Sequence, residues 1–176
     1  MTYFELFDIP VQLRVSPDSI SKKFFELSRK HHPDYFAREG SGAQAESLEI
    51  SAMINKAYKT FQNPDETIRY VLQLKELIEE EEKYELPPDF LMEVLEINEK
   101  MMDDTSQQSA SSTSSDTGSL QSDVDKLEKE IYEPVKEIVE GYQEGLTSKE
   151  ELLQVKAYYY KKKYLDRIKR QLAGKD

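Results

Sequence analysis

His32-Pro33-Asp34, entered through Arg29-Lys30-His31, is the stretch on which the reading of this chain turns. Upstream of it, Ser16-Pro17-Asp18 supplies an N-cap, a proline at the first helical position and an acid in the first turn, which predicts a helix running to about His31. Ile20, Phe24, Leu27 and His31 fall at helical spacing on the face expected to be buried, leaving Lys22, Lys23, Arg29 and Lys30 pointing largely to solvent. Pro33 stops that helix, and loop signals continue to Gly40-Ser41-Gly42. The helical pattern resumes near Ala43, where Ile50, Ile54, Ala57 and Phe61 form one stripe; a short return of this kind predicts an antiparallel hairpin.

Further elements flank the hairpin. A short helix is expected from about Thr2 to Phe7, closed by Asp8-Ile9-Pro10. Asn63-Pro64-Asp65-Glu66 caps and starts a fourth helix carrying Ile68, Val71, Leu72 and Leu74, which ends before the acidic run Glu79 to Glu82. Leu86-Pro87-Pro88-Asp89 marks a boundary, with Asp89 able to cap the next helix. Beyond it three helices are expected: Phe90 to about Met102, Asp123 to Tyr142, and Ser148 to Leu172. Ser122-x-x-Asp125 and Thr147-x-x-Glu150 resemble capping boxes at the last two starts, and Pro134 should kink or interrupt the middle helix. Residues 105–121, almost purely Ser, Thr, Gln and small side chains, read as a flexible loop because they bury too little apolar surface to offset chain entropy. The expected fold is all-α: an N-terminal unit over 1–77, a boundary over 78–88, and a three-helix bundle over 89–176.

Composition narrows the partners. Among 176 residues, 24 Lys and Arg against 35 Asp and Glu give a net charge of −11, which repels nucleic-acid phosphates and anionic lipid. The absence of cysteine excludes disulfides, thiolate metal sites and a thiol nucleophile, so iron or redox chemistry has to reside in a partner. No apolar run approaches the roughly 20 residues that span a bilayer, and no basic-then-apolar leader opens the chain, so a soluble cytoplasmic protein is expected. His31 and His32 invite a metal reading, but adjacent histidines point in different directions and the nearby acids lack a metal-site spacing. Neither a metal nor a cofactor is expected.

The basic helix, His32-Pro33-Asp34 and the downstream Ser51-x-x-Ile54-Asn55-x-Ala57-Tyr58 together resemble a J-domain, the module that docks on DnaK-type chaperones and stimulates their ATP hydrolysis. The resemblance covers about Met1 to Leu77. It implies that His32, Pro33 and Asp34, with Lys22, Lys23, Arg29 and Lys30, bind the chaperone. Physical chemistry suits those residue types: proline stiffens the turn, His32 can donate and accept, Asp34 is a compact acceptor, and the cations steer the encounter toward an acidic surface. Tyr35 departs from the pattern, standing where the family commonly has a basic residue.

The helix opening at Phe90 has an unusually wide apolar arc. At 100° per residue Phe90, Val94, Ile97 and Met101 share one face, Leu91, Leu95 and Met102 form an adjoining flank, and Met92, Glu96 and Glu99 lie beyond it. The arc of roughly 160° exceeds the stripe of about 100° that a surface helix needs. Periodicity alone favours the flank as completing the bundle core over a docking surface. Resemblance pulls the other way. The opening Tyr3-Phe4-x-Leu6-Phe7-x-Ile9-Pro10, the J-domain pattern and Phe90-Leu91-Met92-Glu93-x-Leu95-Glu96 are together similar to the HscB-type co-chaperones of iron–sulfur cluster assembly. That family implies scaffold-binding roles for Leu91, Met92, Leu95, Glu96, Glu99 and Tyr164. Asn98 stands at a commonly basic position, and the Ser-rich stretch is a second departure.

What the resemblance implies is a bridge rather than an enzyme: an IscU-like scaffold held by the C-terminal unit is delivered to a DnaK/HscA-type ATPase, whose hydrolysis the J-domain stimulates. Two other readings stay open from the residues alone. One keeps the J-domain with a different client or a dimerising C-terminal unit, and the other is a metal-dependent hydrolase using His31 and His32.

Overall fold

The computed structural model describes residues 1–106 and 115–174. It is all-helical, with no β-strand among those residues. The chain divides into two compact units, one made of Met1–Ile78 with Val139–Ser148, the other of Glu79–Ile138 with Lys149–Asp176. No helix among the described residues is long and apolar enough to cross a membrane.

In the first unit, α1 (Tyr3–Leu6) opens with a capping box: Thr2 Oγ1 accepts from Glu5 N at 3.1 Å while Thr2 N donates to the Glu5 carboxylate at 2.6 Å. Asp8 closes it at φ 53°, a left-handed conformation that Asp tolerates better than most residues. Next come α2 (Pro17–Lys30) and α3 (Ser41–Gln62), which pack as the expected hairpin, with Phe24 stacked on Tyr58 at 4.0 Å between ring centroids. Gly40 precedes α3 at φ 109°, a value that requires glycine. Asn63 caps α4 (Pro64–Leu74), its side-chain oxygen accepting from Asp65 N and Glu66 N at 3.0 and 3.3 Å. Phe4, Phe7, Leu13, Ile20, Ile54, Ala57, Phe61, Ile68, Val71 and Leu72 form the core, and Tyr3 lies stacked on Tyr70. Ser16 makes no side-chain cap bond, so α2 starts on its proline alone.

Residues 139–148 complete this unit. Arg14 pairs with Glu140 at 2.8 Å, Lys75 pairs with Glu144, and the Tyr142 hydroxyl donates to Glu144 at 2.6 Å.

The second unit is built on α5 (Pro88–Ser106), α6 (Ser115–Tyr132) and α8 (Lys149–Leu172), with a 3₁₀ turn over Glu133–Val135 leading into α7 (Lys136–Glu140). Pro134 therefore interrupts the middle helix, as expected for a residue with no N–H to donate. Phe90, Val94 and Ile97 of α5, Leu120, Val124 and Leu127 of α6, and Leu165 and Ile168 of α8 make one buried cluster. Acids of α6 and bases of α8 meet at its rim, where Lys162 lies 3.3 Å from Glu128 and Lys169 pairs with both Glu128 and Asp125. In the acidic run, Glu82 receives a 2.6 Å bond from Lys156, which holds its carboxyl below the usual carboxylate range.

Four expectations are corrected by this architecture. Residues 115–121 belong to α6 instead of a flexible loop, because burial of Leu120, only 4% exposed, offsets the weak helix propensity around it. Residues 107–114 of that stretch lie outside the described residues. Ser122 is consequently inside a helix and starts no capping box, and the third helix begins one residue later than the Thr147 box requires, with Thr147 Oγ1 accepting from Gln143 N at 3.0 Å instead. Asp89 lies in the first turn of α5, since Pro88 already occupies the first helical position.

Leu120→Ala tests the longer α6 directly. It is expected to cost about 3 kcal/mol in chemical denaturation, as for a buried leucine, whereas a residue in a flexible loop would show no such loss.

Candidate functional site

Each unit carries one candidate surface. In the first, α2 ends at His31 and the chain turns through a 3₁₀ helix over Pro33–Phe36, for which His32 is the N-cap. His32 Nδ1 accepts from Asp34 N at 3.3 Å and lies 3.6 Å from the Asp34 carboxylate. With Nδ1 accepting, the proton of the neutral ring sits on Nε2. His32 O also accepts from Tyr35 N at 3.1 Å, so the turn is closed by its own backbone. Pro33 fixes φ at its first position, and the side chains of His32 and Asp34 are exposed. Tyr35, at the position where a base was the expected type, sets its ring edge-on to the His32 ring with centroids 6.2 Å apart.

Behind this turn, Lys22, Arg29 and Lys30 on α2 are exposed, while Lys23 is half-buried, which corrects its expected solvent-facing position. Arg29 and Lys30 occupy the last turn of α2, where positive charge suits the helix dipole. Phe25, which the stripe of buried positions gave no reason to notice, is 64% exposed and sits three residues after Lys22 and four before Arg29, hence on their face. His31 is half-buried, unlike the exposed His32 beside it. Among the described residues no group of three or more His, Cys, Asp or Glu could hold a metal ion.

In the second unit, Phe90, Val94 and Ile97 face the core, and Met101 packs against it half-buried. The flank does not. Leu91 is 42% exposed, Leu95 55% and Met92 67%, against 1% for Val94 on the core face. The expectation from periodicity that the flank completes the bundle is therefore overturned: one helical stripe already fills the space that α6 and α8 leave. Glu96 and Glu99 are exposed alongside, and Met102, 72% exposed, extends the same face. At 100° per residue Leu91, Met102, Leu95, Glu99, Met92 and Glu96 follow one another around an arc of roughly 140°, apolar at one end and, at the other, with Met92 between the two acids. Tyr164 of α8 is half-buried and packs edge-on against Phe90 at 6.3 Å, so part of its ring serves the core. Asn98 is half-buried at the border between the two faces.

Comparison with known proteins bears on both parts. Residues 86–173 match the family model of the HSCB C-terminal oligomerisation domain. A co-chaperone protein HscB homolog of Photobacterium profundum is 36% identical over 104 residues, 58% of this chain and 61% of that protein. One from Vibrio cholerae serotype O1 is 34% identical over 102 residues, 57% of this chain and 60% of that protein. The matched stretch thus spans about three fifths of the length of these curated relatives. Among solved structures, the human co-chaperone protein HscB aligns with a TM-score of 0.78 at 26% identity, covering 99% of this chain and 82% of that one.

Proposed function

Because the chain belongs to the HscB co-chaperone family, we propose that it bridges an IscU-like iron–sulfur scaffold and a DnaK/HscA-type ATPase, stimulating the ATPase so that the scaffold's cluster is transferred. One observation supports this reading above the others: neither the His32-Pro33-Asp34 turn nor the Leu91, Met92 and Leu95 face is consumed by the fold that presents it. An apolar face rimmed by acids suits a partner with an apolar patch and neighbouring bases, and an exposed turn beside cations suits an acidic docking surface. Holding both partners on one chain raises the effective concentration of scaffold at the chaperone. Hydrolysis on the chaperone then closes it on the delivered client. This chain acts by binding, and no covalent step falls to its residues. A cytoplasmic location goes with the reading.

Reconstitution tests it: the purified chain is expected to raise single-turnover ATP hydrolysis by a DnaK-type chaperone and to bind the scaffold in calorimetric titration. Stimulation without scaffold binding would assign it to another client, and neither activity would remove the reading.

Ionic strength separates steering from affinity. Raising salt from 0.1 to 1 M shortens the Debye length from about 10 to about 3 Å. Stopped-flow association with the chaperone is expected to slow markedly, because Lys22, Arg29 and Lys30 lie in solvent. An unchanged rate would show that these cations do not steer.

A further inference from the structure

We propose that Ser47 and Ser51 are positioning residues for the His32-Pro33-Asp34 turn, holding the His31 carbonyl and so setting the peptide plane from which His32 is presented. The role in stimulation rests on the reading that this turn docks an ATPase.

His31 caps α2, its N–H donating to Leu27 O at 3.0 Å. Its carbonyl belongs to the last turn, where the helix offers no further N–H. Two hydroxyls of α3 replace that donor: Ser47 Oγ donates to His31 O at 2.7 Å and Ser51 Oγ at 2.8 Å. The two serines are four residues apart and therefore share a face of α3. A carbonyl oxygen has two lone pairs, so both are engaged. Ser47 is only 3% exposed, one of two buried polar side chains among the described residues, so water has little access to take its place.

Peptide planarity carries this hold forward. The His31 oxygen lies in one plane with the nitrogen and Cα of His32, so fixing the oxygen fixes where His32 begins. From there His32 adopts φ −65° and ψ 130°, Pro33 locks the next φ, and Asp34 N and Tyr35 N close the turn on His32 itself. The serines tie the turn to α3 on its upstream side, leaving the His32 and Asp34 side chains open to solvent. A turn preorganised in this way loses less freedom on docking.

Whole protein and an isosteric pair of variants provide the test. Ser51→Thr keeps the hydroxyl and Ser51→Val replaces it with a methyl group. In single-turnover hydrolysis by a DnaK-type chaperone, Ser51→Val is expected to lower maximal stimulation about fivefold, the worth of one hydrogen bond of ordinary strength, and the double variant Ser47→Ala/Ser51→Ala, which loses both bonds, by more than about tenfold. Ser51→Thr should stay within about twofold of the parent, since it retains the donor. Amide NMR signals of His32 and Asp34 should shift in the valine variant and not in the threonine variant, a readout that loss of hairpin stability alone would not move. If the double variant fails to fold, the threonine and valine pair decides. Identical behaviour of that pair in both assays would overturn the proposal. A parent protein that fails to stimulate, with amide signals still tracking the hydroxyl, would retain the positioning role and overturn the ATPase reading instead.

Discussion

His32→Gln is expected to abolish stimulation of a DnaK-type ATPase and to leave the fold intact. The imidazole is exposed beside a 3₁₀ turn, and its polar contacts among the described residues are to Asp34. Loss of such contacts at the surface should change unfolding free energy by no more than about 0.5 kcal/mol. Glutamine keeps a donor and an acceptor but moves them off a rigid ring, so Nε2–H is no longer presented at its angle. Stimulation in single-turnover hydrolysis should fall to the basal chaperone rate while far-UV circular dichroism and the denaturation midpoint stay those of the parent. A mutant that stimulates fully would remove the J-domain role from this turn; a mutant that unfolds would show that His32 holds the turn together.

The second large effect belongs to α5. Leu91→Ala with Leu95→Ala is expected to weaken scaffold binding by several kcal/mol, the scale of apolar interface anchors. Stability should change by less than about 1 kcal/mol, because both side chains already stand largely in water. Ile97→Ala is the matched control: at 5% exposure in the cluster with Leu127 and Leu165, it should cost roughly 2 to 5 kcal/mol of folding free energy. Chemical denaturation beside calorimetric titration of the scaffold separates the two outcomes, with unaltered ATPase stimulation by the first unit as the internal reference. Lost stability without lost binding in the Leu91/Leu95 variant would mean that the exposed face serves packing and would leave the scaffold without a site here.

Much of the local chemistry was legible where one helix is enough to express it, although the caps expected at Ser16, Asp89, Ser122 and Thr147 were not. Pro17 and Pro64 at first helical positions, Asn63 as a cap, Pro134 as an interruption and the stripe Ile54, Ala57 and Phe61 all arise from residues within a turn or two of each other, and all occur. The exposed triplet was legible for the same reason, since a proline two residues beyond a helix end dictates its own turn. Residues 115–121 were not legible: the stretch has one large apolar side chain, Leu120, and its helix depends on partners in α5 and α8. Periodicity likewise could not assign the second apolar flank of α5, because spacing reports which residues share a face and not whether another helix covers it.

By itself, then, the sequence determined most of the helices, the Asn63 cap, the hairpin and the turn that carries His32, since each depends on backbone propensities and side chains a few residues apart. Tertiary structure alone decided that Leu91 and Leu95 remain in water, that Leu120 extends α6, that residues 139–148 join the first unit through Arg14 and Lys75, and that Ser47 and Ser51 converge on His31 O. Those outcomes require atoms distant along the chain to share space. Burial and pairing are properties of that shared space, and no local pattern encodes it.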